Sequence, residues 1–145
     1  MRLITIDASV FVSAARPSEA GNLESTTFLS WVRRARPRLF LPTLVMAEAA
    51  AALSRTGSAA GLAQQYALAV GQLPNAVLVA LDKGLARQAA GLGARHKLRG
   101  ADAVYLATAA LFAAELVTLD REQFERGSSI VQTLPPTGFL STIKQ

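Results

Sequence analysis

Short apolar runs alternate with longer helical segments along the whole chain, and this alternation predicts its secondary structure. The runs of strand length are 2–6, 39–42, 76–81, 116–119 and, as a last edge strand, 130–131. Helical patterns cover 8–15, 23–35, 44–55, 59–73, 83–92 and 101–110, with a short helical turn at 121–125 and a proline-containing tail at the end. Such alternation predicts a layered α/β fold with a mainly parallel sheet, built as one domain over residues 1–145.

Two acidic residues stand directly after predicted strands. Asp7 follows the first apolar run, and Asp120 follows the run 116–119. In parallel sheets, binding sites lie beyond the carboxyl ends of the strands. We therefore expect both carboxylates at the same edge of the sheet. The first strand should lie in the middle of the sheet, where it would leave Asp7 little freedom to move.

Two further acids interrupt apolar helices. Glu48 lies within the apolar run 45–50, and Asp102 opens the most hydrophobic helix of the chain. Other acids have simpler explanations, as with Asp82, which is predicted to cap the helix that follows it. The four acids that are hardest to explain by structure alone are therefore Asp7, Glu48, Asp102 and Asp120.

Carboxylates that converge repel one another, by about 4 kcal/mol for two charges about 4 Å apart at an effective dielectric of about 20. Either some of them are protonated or a cation lies among them. The chain has no cysteine and a single histidine, His96, which excludes thiolate and multi-histidine metal sites. Ligands that are all oxygen favour a hard ion, Mg²⁺ or Mn²⁺. His96 lies in the basic stretch 93–97, which we predict to be a solvated loop, and any Ser-His-Asp triad would have to use it.

Composition and charge indicate the class of molecule that the protein binds. The chain has 145 residues, is 51% hydrophobic and carries 15 basic against 10 acidic residues, for a net charge of +5. A basic balance favours a polyanionic partner. Together with a hard-metal carboxylate site, it indicates nuclease chemistry. Four arginines between 33 and 38 form either a solvated helix end or a patch that faces RNA.

Targeting segments are not evident in the sequence. The first 15 residues faintly resemble a secretion signal, but Asp7 would fall in the middle of its apolar region. No apolar run reaches the roughly 18–20 residues of a membrane span. We therefore expect a cytoplasmic protein without membrane contact.

Four segments together carry a family resemblance. They are Ile4–Ser9, Pro42–Glu48, Leu98–Ala109 and Leu116–Phe124. In this order and at this chain length they resemble the PIN-domain family, and within it the VapC-type toxins of toxin–antitoxin pairs. The resemblance implies a three-layer α/β/α sandwich around a parallel sheet, and an endoribonuclease that hydrolyses RNA phosphodiester bonds with Mg²⁺ or Mn²⁺.

The resemblance also assigns roles to residues. Asp7, Asp102 and Asp120 would hold the metal, and Glu48 would join them directly or through water. Ser9 matches the small polar residue after the first acid, and it stands where some members carry asparagine. Thr118 matches the hydroxyl residue before the last acid. Both would orient a carboxylate or a water, although a local cap or a plain strand residue would explain them equally well.

Partners follow from the resemblance as well. Relatives form homodimers and are silenced by a small antitoxin, which lays a helix or extended segment across the toxin and often directs an arginine toward the acids. The predicted helix 23–35, with Phe28 and Trp31, is a candidate docking surface. Either aromatic residue would alternatively belong to the core, which we expect for Phe28.

Other α/β proteins with acids at strand ends fit less well. A receiver-type phosphorylation domain needs an acidic doublet after the first strand, and a haloacid-dehalogenase-type phosphatase needs a second aspartate two residues after the first. Asp7 is followed by Ala8 and Ser9, which matches neither. Two alternatives remain open: a PIN-domain nuclease of RNA maturation, and a PIN module that binds RNA or protein without cleaving.

Overall fold

The computed structural model describes residues 1–143, and its strands form one parallel sheet. The strands are β1 (Leu3–Ile6), β2 (Arg38–Pro42), β3 (Ala76–Val79), β4 (Glu115–Val117) and β5 (Thr133–Leu134). Their order across the sheet is β3-β2-β1-β4-β5, and all neighbouring pairs are parallel. The predicted parallel sheet is therefore confirmed, and β1 is its middle strand.

Helices cover both faces of this sheet in the α/β/α arrangement that was expected. They are α1 (Ala8–Ala14), α2 (Asn22–Ala35), α3 (Leu44–Arg55), α4 (Ala60–Val70), α5 (Lys83–His96), α6 (Gly100–Leu111), α7 (Arg121–Gly127) and α8 (Pro136–Ser141). Helix α6 packs on β1, β2 and β4 with α5 against it, whereas α1 packs on both α2 and α3. Ile4, Thr5 and Ile6 are all fully buried, as expected for a central parallel strand covered on both faces.

Two elements near the C-terminus differ from the prediction. The last strand is β5 at Thr133–Leu134 and not at 130–131, where Ile130 and Val131 instead hydrogen-bond back to Gly127 in a turn. The predicted tail contains helix α8, which begins at Pro136. Proline suits the first turn of a helix because its missing N–H would have no helical partner there. The proline-containing tail, for which no helix was predicted, therefore includes a helix that its own prolines begin.

Helix α5 is longer than predicted, and the expectation of a loop at His96 is wrong. The helix runs through Gly91 and Gly93 to His96 and ends where Lys97 adopts a left-handed conformation (φ 56°). A Cβ on Gly93 would lie 3.4 Å from the Cβ of Ala103, so this glycine lets α5 approach α6 closely. Close packing of the two helices offsets the low helix propensity of glycine.

An aromatic cluster joins the two ends of the described chain. Phe28 and Phe139 are fully buried, with ring centroids 5.1 Å apart in an edge-to-face arrangement. Trp31 is partly buried and lies 5.1 Å from Phe139, and the Arg2 guanidinium lies 4.0 Å above the Phe139 ring. Arg2 also forms a 2.6 Å ion pair with Glu115 at the start of β4. The prediction that Phe28 is a core residue is confirmed, and Trp31 packs against the same cluster.

None of the helices within residues 1–143 combines the length and the hydropathy that crossing a membrane would require.

Candidate active site

Asp7 stands at the end of the middle strand, where the backbone holds it on two sides. Its N–H donates to the carbonyl of Val117 on β4 at 2.9 Å, which continues the ladder between the two strands. Its carboxylate caps α1 by accepting the Ser9 N–H at 3.1 Å, and it accepts the Thr118 hydroxyl at 3.2 Å. The residue is only 5% exposed. The end of β1 therefore presents a nearly immobile carboxylate.

Asp120 lies at the same edge of the sheet, as predicted, because β4 is the parallel neighbour of β1. Its Oδ1 caps α7 by accepting the Gln123 N–H at 2.9 Å. Its own N–H donates to the Thr118 hydroxyl at 2.9 Å, so Thr118 contacts both aspartates. The Ser9 hydroxyl accepts the N–H of Leu119 at 3.0 Å. Both hydroxyls thus connect the two strand ends, in keeping with a role in orienting the acids.

Glu48 and Asp102 come from two helices. Asp102 is 8% exposed in the first turn of α6, and Glu48 is half-buried near the start of α3. The buried side chain of Gln123 donates from Nε2 to the Asp102 carbonyl at 2.9 Å, which ties α7 to α6. The four predicted carboxylates come from four different places in the fold and, with a fifth from Glu19, line one open cavity of about 540 Å³.

Arg99 lies between two of these acids. Its Nη2 is 2.6 Å from Asp120 Oδ2, and its Nε is 3.3 Å from Asp102 Oδ2. Arg55, in the last turn of α3, lines the same cavity. Among the side chains of residues 1–143, these two arginines are the basic groups that line this cavity.

The carboxylates do not form a finished metal site. In the part of the chain that the structure describes, no three acidic or histidine side chains converge closely enough to hold an ion as they stand. Arg99 holds Asp102 and Asp120 in their present orientations, and the cap of α7 also holds Asp120. The donor chemistry nevertheless suits a hard cation, because every ligand offered is a carboxylate oxygen. Asp7 supports this fit, since it is buried and forms no ion pair with any basic side chain of residues 1–143.

The pKa values of the acids reflect their crowding. Burial is the main cause that raises the pKa of Asp7 to about 6, and the charge of Glu48 adds to it, against the lowering effect of the Ser9 and Thr118 hydrogen bonds. Burial and the charges of Asp120 and Asp7 raise the pKa of Asp102 to about 6, although Arg99 opposes them. Burial likewise raises the pKa of Glu48. Negative charge in the cavity is thus only partly compensated, which favours binding of a cation.

Tyr105 is a site neighbour that the sequence reasoning missed. It is fully buried on α6, and its hydroxyl makes no hydrogen bond of good geometry within the described chain. Burial, followed by the charges of Asp7 and Glu48, raises the pKa of Tyr105. The available signal was its spacing, because a residue three positions after Asp102 lies on the same helix face.

Gln123 and the two arginines were missed as well. For Gln123 a signal was present, because an acid followed three residues later by glutamine resembles a capping box at a helix start. Arg55 and Arg99 carried no such signal. Nothing local distinguishes them from the other arginines of this basic chain.

The chain is similar to known proteins in its family and in its fold. The family model described as PIN domain matches residues 4–128. No curated protein sequence matches the chain. The solved structures that resemble it include VapC20 from Mycobacterium tuberculosis, described as a sarcin-ricin loop cleaving toxin (TM-score 0.72, 16% identity, covering 84% of this chain and 93% of that one).

Two further structures are assemblies. One is a toxin-antitoxin complex from Klebsiella pneumoniae (TM-score 0.66, 19% identity, 92% of this chain and 97% of that one). The other is VapBC2 from Rickettsia felis bound to a DNA fragment from their promoter (TM-score 0.67, 12% identity, 91% and 98%). At these identities the likeness shows a shared fold. The PIN-domain family model covers most of the length of this chain, and the chain therefore belongs to the PIN-domain family.

Proposed function

We propose that this protein is a metal-dependent endoribonuclease and the toxin component of a toxin–antitoxin pair. The observation that carries the proposal is the cavity lined by Asp7, Glu48, Asp102 and Asp120, in which the most buried acid, Asp7, has no basic partner among residues 1–143. A PIN fold with this set of carboxylates suits hydrolysis of a phosphodiester.

Each residue of the site has its own role in the proposed reaction. Asp7, Asp102 and Asp120 would hold Mg²⁺ or Mn²⁺, with Glu48 joining directly or through water. The bound ion would supply an activated water and positive charge near the phosphate. Thr118 holds the two strand-end aspartates in register through its hydroxyl, which accepts from one and donates to the other. A second hydroxyl, that of Ser9, fixes the backbone between them.

The surroundings of the acids suit a polyanionic substrate. Arg55 and Arg99 line the cavity and would contact the RNA backbone. Their guanidinium groups can donate two parallel hydrogen bonds to a phosphate. An open cavity on the surface of the protein also admits a strand that continues on both sides of the cleaved bond. These features support an endonuclease whose substrate is RNA.

Removal of divalent ions is expected to stop cleavage. The purified protein should cleave structured RNA in Mg²⁺ or Mn²⁺, and EDTA should reduce the rate to background, because the bound ion would both activate the water and stabilise the charge that develops at the phosphate. Gel analysis of an RNA of defined sequence measures this, and restoring activity with excess Mn²⁺ is the control. Cleavage at an undiminished rate in EDTA would show that the proposed chemistry is wrong.

The toxin role predicts arrested growth. Induction of the chain alone in a bacterial host should stop growth, because cytoplasmic RNA would be cut without an antitoxin to prevent it. The growth curve after induction measures this, with the uninduced culture as control. Unchanged growth, with RNA cleavage retained in vitro, would instead support a nuclease of RNA maturation. Neither cleavage nor arrest would support a module that binds without cleaving.

The proposal includes two partners, a small antitoxin protein and a second copy of the chain. The likeness to toxin–antitoxin assemblies and exposed apolar side chains support a small antitoxin and a homodimer. On α2, Leu23 is 72% exposed, whereas Trp31 packs on Phe139, so an antitoxin that docks on α2 would contact Leu23. An apolar groove of about 500 Å³ between α5 and α6, lined mainly by alanine, would suit a second copy of the chain.

A further inference from the structure

Arg99 lies directly against acids that the proposed function assigns to metal binding. It precedes α6 as its N-terminal cap residue, yet its side chain makes no capping hydrogen bond. The guanidinium instead bridges Asp102 and Asp120, at 3.3 Å and 2.6 Å. These are two of the three aspartates that would hold the ion, and the oxygen that Arg99 contacts in each is an Oδ2.

The bridge is easy to break. The Arg99 side chain is 69% exposed, so its release into water requires no new opening of the protein. Exposed ion pairs contribute little to stability, because water and salt screen their charges. Asp102 and Asp120 are far less exposed, with side-chain fractions of 11% and 21%. The acids would therefore stay in place while the arginine moves.

Arg55 provides a comparison within the same cavity. It carries the same charge and lines the same walls, but forms no ion pair with any acid of residues 1–143. A long-range effect of positive charge on ion binding should be shared by both arginines. An effect of direct competition should be specific to Arg99.

We propose that Arg99 is the internal counter-ion of the empty site and becomes a phosphate contact when the site is loaded. This inference rests on the proposed function. The Oδ1 of Asp120 already accepts the Gln123 N–H, so a divalent cation and the Arg99 guanidinium compete for the Oδ2 side of this carboxylate, and the positive charge of a bound ion repels the guanidinium and favours its release. Once released, the guanidinium lies at the cavity wall, where its fork of donors matches a phosphate. Arg99 therefore lowers affinity for the ion in the absence of RNA and raises affinity for RNA once the ion is bound.

Titration of Mn²⁺ into the protein without RNA tests the first half. Arg99→Gln is expected to bind Mn²⁺ roughly three- to tenfold more tightly than the wild type, because two exposed ion pairs no longer compete. The matched control, Arg55→Gln, removes the same charge from the same cavity and should change the affinity by less than about twofold. Equal or weaker Mn²⁺ binding by Arg99→Gln, or an equal gain in both variants, would overturn the counter-ion role. Thermal melting checks that each variant is folded.

Steady-state cleavage at saturating Mn²⁺ tests the second half. Under these conditions Arg99→Gln should show a KM for RNA raised roughly three- to tenfold. In a separate series of Mn²⁺ concentrations, the variant should reach half of its maximal rate at a lower Mn²⁺ concentration than the wild type. An unchanged KM would refute the phosphate contact. The Arg99 inference and the proposed nuclease function can be contradicted separately. Tighter Mn²⁺ binding by Arg99→Gln, in a protein that cleaves no RNA, would contradict the nuclease function only. RNA cleavage with unchanged Mn²⁺ affinity would contradict the Arg99 inference only, and absence of Mn²⁺ binding in both proteins would contradict both.

Discussion

Asparagine in place of Asp7 is expected to lower RNA cleavage by at least about a hundredfold, because a metal ion contributes several kcal/mol to such reactions. The variant should nevertheless fold. The asparagine carbonyl can still accept the Ser9 N–H and the Thr118 hydroxyl that hold the native side chain. Cleavage rates under single-turnover conditions measure the loss. Wild-type rates in the variant would show that the site assignment is wrong.

The same substitution is expected to stabilise the metal-free protein near neutral pH. Burial raises the pKa of Asp7 from 3.8 to about 6, so the folded protein binds its proton more tightly than the unfolded chain does. Stability of the wild type should therefore rise as the pH falls from about 6 toward about 4, and the ionised form above pH 6 is destabilised by roughly 2–3 kcal/mol. Asparagine has no charge to bury, so the part of this pH dependence that Asp7 causes should disappear, whereas the part from Asp102, whose pKa is also raised to about 6, should remain.

Denaturant unfolding at about pH 7.5 and about pH 5, in EDTA, measures both effects. Added Mg²⁺ or Mn²⁺ serves as the control, because an ion that binds the carboxylates should stabilise the wild type at the higher pH and leave the variant nearly unchanged. A variant less stable than the wild type at the higher pH would indicate that Asp7 serves the fold more than the chemistry.

Alanine in place of Phe139 is expected to destabilise the protein by about 3–5 kcal/mol, the usual range for a fully buried phenylalanine. The ring contacts Phe28 and Trp31 on α2, and Arg2 lies over its face. Its loss would leave a cavity where α8 meets α2. It would also remove a cation–π contact beside the ion pair of Arg2 with Glu115.

Urea unfolding followed by fluorescence of the single tryptophan measures this change. The matched control is Leu62→Ala on α4, whose side chain is 66% exposed and should alter stability by less than about 0.5 kcal/mol. An effect of Phe139→Ala as small as that of the control would mean that α8 is not part of the cooperative core. Because α8 was not predicted from the sequence, this experiment tests an element known from the structure alone.

The layered fold was predictable because its signals are local. Apolar runs of strand length, helical spacing between them and a helix cap such as Asp82 each depend on a few neighbouring residues, and Asp82 indeed accepts the Leu85 N–H at 2.9 Å. The errors arose where tertiary contacts outweigh local preference. Gly91 and Gly93 weaken a helix by themselves, yet α5 continues through them because it packs closely on α6. Likewise, β5 is located by its pairing with β4, since Leu116 pairs with Thr133.

The four acids were predictable for a related reason: a carboxylate in an apolar run is costly to bury, so its presence there demands an explanation. The sequence by itself determined the fold class, the family resemblance and the candidate acids. Only the tertiary structure decided that the Thr118 hydroxyl links Asp7 to Asp120. It also placed Arg99 on an acid 21 positions away. Such contacts depend on which strands and helices become neighbours, and that is settled by packing over the whole chain.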